Sequence, residues 1–557
     1  MLFPSIASWA VMVDVVFAAQ KPIVGAGDRR KGSPFTSDFK KRTLGLMDKW
    51  HLPGLAIAVI DGNDTFFEGF GLADIASNTP VTADTLFMTG STTKAFTDAT
   101  LGMLIDMGNY TVPPLDGSSR RTPLTWRTPI SSIIPADFVM SDPWATAHLT
   151  LEDAASHRTG LSRHDKASAR WYPDESGKLR TATPRDIVRT LRYLPVAEEP
   201  RTTYMYCNLM YVVLAHCVET LTGLSLGEVL RERIWKPLGM KSTFYGVDDL
   251  PKDNKLATGY YWDEGKGKAV VLPADPAPEI SGAGLVISSV RDYAKWVRCQ
   301  LEEGEPLSKA THAALREPKT IDGAFGGVFD GPSMYASGWT VALYKGHKLF
   351  THGGMMEAYG TNVVFFPDDG FGVVAMGNTA IEATVVAETA VWGLVDDRLG
   401  VPKEERFGWE AKWEKFKKAM NDKLDRGVDI LFPGRGANPL PASLSLEQYT
   451  RRYYHPGYQN LTLELGEPDE DGRVTTLKAD RTAFTWQTAA RFEHVSGEYW
   501  IMYSWLAKAP GERLLLDIAA VEFKIGVDGR VSKVGIEWRD TLSEVVDGTI
   551  WYDRVDK

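Results

Sequence analysis

Gly90-Ser91-Thr92-Thr93-Lys94 sets a serine hydroxyl and a lysine amine three residues apart, just ahead of a helix-compatible stretch from Ala95 to Met103. On a helix two such side chains share a face. A serine hydroxyl is a weak nucleophile at neutral pH and needs a base within hydrogen-bond reach, and a lysine can serve when burial and nearby charge lower its pKa. The spacing predicts Ser91 at a helix N-terminus, where free backbone N–H groups can stabilise an oxyanion. The corresponding chemistry is acyl transfer through a serine ester. Spacing alone is a weak signal, because Ser37-Asp38-Phe39-Lys40 repeats it in polar surroundings and reads as a surface pair on a helix. Ser91 differs in having the apolar run Leu86-Phe87-Met88 in front of it.

Two downstream segments could complete such a site. Tyr206-Cys207-Asn208 precedes a helical run that starts near Met210. Tyr206 is a candidate second acid or base, shuttling the serine proton to a leaving group; the alternative is a buried aromatic whose hydroxyl caps the following helix. His352-Gly353-Gly354 follows the strand-like Lys348-Leu349-Phe350-Thr351. Paired glycines on an edge strand let a substrate carbonyl approach the backbone, and the N–H of Met355 can then donate to the oxyanion. The alternative is a plain turn with an exposed histidine.

Taken in order, SxxK, YxN and HxG resemble the signature of the serine β-lactamase and penicillin-binding-protein superfamily, in its class C β-lactamase, D-aminopeptidase and esterase branch. Trp50-His51-Leu52-Pro53-Gly54-Leu55-Ala56-Ile57-Ala58-Val59 is similar to that family's opening strand, and Gly69-Phe70-Gly71-Leu72-Ala73-Asp74 to its next one. Ser156-His157-Arg158-Thr159-Gly160-Leu161, Trp235-Lys236-Pro237-Leu238-Gly239-Met240, Gly282-Ala283-Gly284-Leu285-Val286 and Ser337-Gly338-Trp339 also match family segments. The likeness runs roughly from Phe35 to Gly400. It implies an α+β fold: an antiparallel sheet flanked by helices, with the site between the sheet and an all-helical subdomain. It also implies Ser91 as acylated nucleophile, Lys94 as its base, Tyr206 as the shuttle, and Asn208 as a residue that binds a substrate amide or orients Lys94. Gly353, Gly354 and Met355 would line the substrate and oxyanion edge. His352 stands where β-lactamases often carry a lysine, which favours a carboxylate. Histidine there occurs in aminopeptidase- and esterase-like members, so the implied substrate is a small ester or peptide amide. Cys207 replaces a serine usual in the family, a packing change that could also leave a thiol open to alkylation.

The elements that must position these residues fall into regions. Residues 1–34 are an N-terminal extension. Ile6 to Val13 is apolar and Val16-Phe17-Ala18-Ala19-Gln20 resembles a cleavage site, but no basic residue precedes the run and Asp14 interrupts it. Secreted and cytoplasmic locations both stay open; the sequons at Asn63, Asn109 and Asn460 matter only to the first. Residues 35–400 alternate strand-like and helical stretches. Leu55 to Ile60 reads as a buried strand, Tyr211 to Leu221 and Leu226 to Ile234 as helices, and Pro367-Asp368-Asp369-Gly370 as a hairpin turn. Residues 401–442 comprise an amphipathic helix, with Trp409, Trp413, Phe416 and Met420 at helical spacing, and a Pro/Gly linker from Pro433 to Pro441. Residues 443–557 hold short strand-like runs separated by Asp471-Gly472, Asp528-Gly529 and Asp547-Gly548, read as turns of a small antiparallel β-barrel. This part resembles the lipocalin-like domain of some D-aminopeptidase relatives, where it sits near the active-site mouth and restricts substrate; a purely stabilising or assembly role is the alternative.

Composition sets the remaining bounds. With 62 basic and 72 acidic residues among 557, and no basic block interleaved with aromatics, nucleic acid is not an expected partner. Three cysteines make no disulfide framework, and the absence of HExxH and clustered histidines implies no metal or other cofactor. No internal run is long and apolar enough to span a bilayer. No GxSxG elbow is present, so an α/β-hydrolase is set aside. The reading is a serine hydrolase acting through an acyl-enzyme on a small-molecule ester, peptide or amide, with a homo-oligomer left open. An acyltransferase and a non-catalytic scaffold on the same fold are the alternatives.

Overall fold

In the computed structural model the run from Leu55 to Ile60 is the strand Gly54–Asp61, and it is buried on both faces. Leu55, Ile57 and Val59 enter one hydrophobic cluster while Ala56, Ala58 and Ile60 enter another. Two covered faces explain why it reads as an unbroken apolar run and not as an alternating one. Full burial of each large aliphatic side chain contributes about 1.5–3 kcal/mol. The structure describes residues 32–113, 121–323, 327–509, 517–539 and 546–555. The apolar run and cleavage-like segment before residue 32 lie outside the described residues.

Gly54–Asp61 pairs antiparallel with Asp64–Asp74 on one side and Phe371–Gly377 on the other, joining the two ends of the region in one sheet. Nine strands follow in the order Thr320–Ile321, Met334–Tyr335, Thr340–Tyr344, His347–Met356, Tyr359–Phe366, Phe371–Gly377, Gly54–Asp61, Asp64–Asp74 and Thr79–Pro80. The hairpin expected at Pro367 to Gly370 joins Tyr359–Phe366 to Phe371–Gly377, with Gly370 at φ +60. Helices Ser37–Lys49 and Ile381–Leu399 cover the face of Leu55, and Val290–Glu302 packs on the other. The helical subdomain centres on Asn208–Thr222, which ends at Gly223 in the left-handed conformation (φ +71), a residue that satisfies the terminal carbonyls without a Cβ penalty. The second expected helix splits into Leu226–Leu230 and a π-helical turn, Arg231–Trp235, ahead of Pro237.

The charge-rich stretch becomes the helix Trp409–Asp425, starting five residues later than the charge pattern. Trp409 stacks on Trp392 at 4.9 Å and 15°, and the indole N–H of Trp413 donates to Glu388 at 2.5 Å. Pro433 to Pro441 carries neither helix nor strand. Beyond it a nine-stranded antiparallel sheet runs from Gln459–Thr462 and Arg452–His455 through Val546–Val555, Val531–Arg539, Asp517–Ile525, Tyr499–Leu506, Thr488–Ser496 and Thr476–Arg481 to Glu464–Leu465. Gln459–Thr462 also approaches Thr476–Arg481, so the sheet is a nearly closed barrel, filled by Tyr449, Phe492, Trp500, Phe523 and Tyr552.

One expected turn is a bulge. Asp471-Gly472 and Asp528-Gly529 lie between strands, but Asp547-Gly548 lies inside the strand Val546–Val555. There two residues oppose one, between the pairs Glu537↔Thr549 and Arg539↔Val546, and Gly548 takes φ +82. The same left-handed glycine serves a turn or a bulge. The barrel does not stand apart: Phe96 and Tyr211 share one continuous buried cluster with Tyr458 and Trp538. Among the described residues, no single helix is long and apolar enough to cross a membrane.

Candidate active site

Ser91 lies on the short 3₁₀ turn Gly90–Thr92, which runs into the helix Thr93–Asp106. Threonines on either side pin this turn to the strand Val286–Ser289. The Thr89 N–H and hydroxyl donate to the Val286 carbonyl at 2.8 and 3.0 Å, and the Val286 N–H donates to Thr93 Oγ1 at 3.0 Å. Two glycines let the turn meet the strand His347–Met356 backbone to backbone. Gly90 has φ +54, and a Cβ there would stand 2.6 Å from the Met355 nitrogen. A Cβ on Gly354 would stand 2.0 Å from the Thr89 carbonyl. Any side chain at either position would separate Met355 from the Ser91 turn.

Lys94 is wholly buried under Ser91. Its Nζ lies 3.1 Å from Ser91 Oγ, 2.8 Å from Asn208 Oδ1 and 2.9 Å from the Ala283 carbonyl. Burial first, and then the neighbouring Arg163 charge, push this amine well below the usual lysine range. A neutral amine has two N–H donors and one lone pair. Asn208 Oδ1 and the Ala283 carbonyl, both pure acceptors, take the two donors, which leaves the lone pair toward the Ser91 hydroxyl. The arrangement can therefore accept the serine proton.

Asn208 is itself held. Its amide donates to both Asp165 oxygens, at 3.0 and 3.3 Å, and Asp165 pairs with Arg163 at 2.7 Å. The Arg163 guanidinium sits 5.1 Å from the Tyr206 ring centre, and Lys94 Nζ 4.8 Å from it on the inner side. The Tyr206 ring also packs on His157 at 4.3 Å, and His157 Nδ1 accepts the N–H of Cys207 at 3.0 Å. The Ser156–Leu161 turn thus fixes the Tyr206–Asn208 segment. Cys207 is fully buried, which removes the expected exposure to alkylation and leaves a packing role.

His352 is 8% exposed, and its Nε2 accepts from the Tyr335 hydroxyl at 3.0 Å while Nδ1–H donates to the Gly353 carbonyl at 2.5 Å. Burial, reinforced by Lys94, lowers its pKa to about 4, so the imidazole is neutral at physiological pH. It supplies no fixed positive charge where a lysine would.

Ser91, Tyr206, Asn208, His352, Gly353, Gly354 and Met355 line one cleft of about 310 Å³, and Lys94 lies beneath its floor. The structure adds residues that the sequence did not single out: Arg163, Asp165, Lys166, Ile381, Thr384, Trp413 and Trp486 also line the cleft. In the sequence Trp413 reads as one apolar position of an amphipathic helix. Trp486 comes from the barrel. The second SxxK forms no such site: Lys40, its side chain 42% exposed, reaches Glu68 at 2.8 Å, and Ser37 is exposed. Among the described residues, no group of three or more His, Cys, Asp or Glu side chains is arranged to hold a metal.

A family model described as Beta-lactamase matches residues 39–395. The chain is 37% identical over 522 residues to the unguisins hydrolase ungD' of Aspergillus campestris, covering 93% of this chain and 92% of that protein. It is 26% identical over 389 residues to a D-aminopeptidase of Brucella anthropi, covering 69% and 66%. Among solved structures, the octameric penicillin-binding protein homologue from Pyrococcus abyssi superposes with a TM-score of 0.56 at 19% identity, covering 90% of this chain and 98% of that one. That likeness extends over both the helix-flanked sheet and the barrel.

Proposed function

The chain belongs to the beta-lactamase family of serine hydrolases, and from that premise we propose that it hydrolyses an ester or a peptide amide through an acyl-enzyme on Ser91. The observation that carries this is the donor count at Lys94: two carbonyl acceptors occupy its N–H groups and Ser91 Oγ faces what remains, 3.1 Å away. In this reading Ser91 Oγ attacks the substrate carbonyl carbon and its proton passes to Lys94 Nζ. The oxyanion is held by the N–H groups of Ser91 and Met355. Tyr206 passes the proton to the departing amine or alcohol, and water then releases the acyl group. Gly353, exposed along the cleft edge, leaves the strand open for a substrate backbone to lie beside it.

Neutral His352 supports an uncharged ester or amide over a β-lactam carboxylate at that position. The relative from Aspergillus campestris matches nearly end to end and is named for hydrolysis of unguisins, so unguisins are the first substrates to try. The test is intact-protein mass after exposure to a fluorophosphonate, p-nitrophenyl esters, D-aminoacyl amides, penicillins and unguisins. The expected result is a single adduct on the wild-type chain that is absent in Ser91→Ala, with turnover of esters or amides exceeding that of penicillins. Labelling that persists in Ser91→Ala would remove the proposed nucleophile.

A further inference from the structure

Two tryptophans from outside the catalytic sheet reach the cleft, Trp413 held by its own indole N–H and Trp486 carried on an anchored backbone. Trp413 stands on the helix Trp409–Asp425, with its indole N–H bonded to Glu388 on the neighbouring helix Ile381–Leu399. Trp486 stands on the barrel connection between Thr476–Arg481 and Thr488–Ser496. That connection is bonded to the catalytic region on both sides of the tryptophan. Before it, Ala169 and Phe484 form an antiparallel bridge, the Arg170 N–H donates to the Ala483 carbonyl at 2.9 Å, and the Thr485 N–H donates to the Ser168 carbonyl at 2.9 Å. The Thr485 hydroxyl donates to buried Glu279 at 2.9 Å. After it, the Gln487 amide donates to Asp275 at 2.9 Å. Trp486 is the half-buried residue left between these anchors.

With Ile381 the two indoles supply a large, rigid apolar lining in a cleft whose cations already have acidic partners: Arg163 with Asp165 at 2.7 Å and Lys166 with Asp517 at 3.3 Å. Rigid aromatic walls recognise apolar groups at small entropic cost, because few rotamers are lost on binding. We propose that Trp413 and Trp486 are specificity-determining residues that select substrates carrying a bulky apolar group next to the scissile ester or amide. This rests on the hydrolase reading above and narrows its substrate class.

The experiment uses the full chain and two ester series. One lengthens the acyl group from acetyl to octanoyl on a constant p-nitrophenol, and the other enlarges the alcohol on a constant acetyl group. In the wild type, kcat/KM rises by about tenfold or more along one series, as expected for a methylene-by-methylene gain in an apolar pocket. Trp413→Ala and Trp486→Ala each flatten that rise, and Trp486→Phe restores most of it. Two flat series in the wild type, or a rise retained in either alanine variant, overturns the proposal. Fluorophosphonate labelling of Ser91 and the melting temperature are followed in every variant. A variant that fails to label or melts early is replaced by Trp413→Leu or Trp486→Leu, read by the same ratio. Failure of wild-type labelling would instead count against the hydrolase reading, so the two outcomes stay distinct.

Discussion

Ser37 with Lys40 and Ser91 with Lys94 share residue types and spacing, yet they are chemically unlike. Lys40 flanks the buried face of its helix with its side chain 42% exposed, and Glu68 meets it at 2.8 Å. Lys94 is enclosed by the helix Thr93–Asp106 that bears it, by Asn208–Thr222 and by the Ala283 carbonyl, with no water-exposed surface. Exposure keeps a lysine charged and solvated; enclosure among neutral acceptors favours the free amine. A motif of two residues therefore gains its chemistry from the third and fourth groups that surround it, and those lie more than a hundred residues away.

Four substitutions test how far that contrast goes. The largest effect is expected for Lys94→Met, which keeps the volume and removes the base. kcat/KM should fall about 10³-fold. The melting temperature should fall by a few degrees at most, on the order of one lost buried bond, because the thioether fills the space of the amine but leaves Asn208 Oδ1 and the Ala283 carbonyl without its donors. In the wild type the pH profile carries the same information. Activity needs Lys94 unprotonated, so it is present above the folded pKa and lost as pH falls through it. Because that pKa is lowered, the acidic limb should lie well below 10.5.

An intermediate effect is expected at the Arg163–Asp165 pair, which reaches Lys94 through the Asn208 hydrogen bonds and through its charges. Asp165→Asn and Arg163→Gln should each lower kcat on the order of 10- to 100-fold by loosening the lysine. Their acidic limbs should move in opposite directions. The Asp165 charge raises the Lys94 pKa and the Arg163 charge lowers it, so Asp165→Asn shifts the limb to lower pH and Arg163→Gln to higher pH. Shifts of the same sign, or none, would reduce both residues to scaffolding.

The smallest effect belongs to the outer pair. Lys40→Met should change kcat/KM by less than about twofold and unfolding free energy in urea by less than about 0.5 kcal/mol, the range of an exposed ion pair. A loss comparable to that of Lys94→Met would dissolve the contrast altogether.

The residues of the candidate site that the sequence made legible are those lying beside a backbone turn or a glycine. Ser91, Tyr206, Asn208 and His352 each sit within two residues of an element boundary or a paired glycine, and those leave a local trace. The groups that went unread have no such trace. Ala283 acts through its carbonyl, which every residue possesses. Asp165 matters only because Asn208, 43 positions later, folds against it. Trp413 and Trp486 are two of 17 tryptophans, and burial in a helix or barrel is the ordinary fate of such a side chain. For the fold, periodicity gave the strand Gly54–Asp61 and the helix Asn208–Thr222, where one or two faces are buried. The Asp-Gly signal at Asp547-Gly548 marks a bulge and not a turn, since a left-handed glycine announces a change of direction without saying whether a loop or a bulge produces it.

Glu357 follows directly after the strand that carries Gly353, Gly354 and Met355, and Lys508 of the barrel holds its carboxylate at 2.6 Å. In the language of mechanics the strand is a beam gripped at two points: at His352 by Tyr335, and just past its far end by Lys508, in the turn that follows the barrel strand Tyr499–Leu506. Met355 lies in the short span between the grips. A load that lifts the barrel is therefore transmitted to the backbone of that span as well as to Trp486.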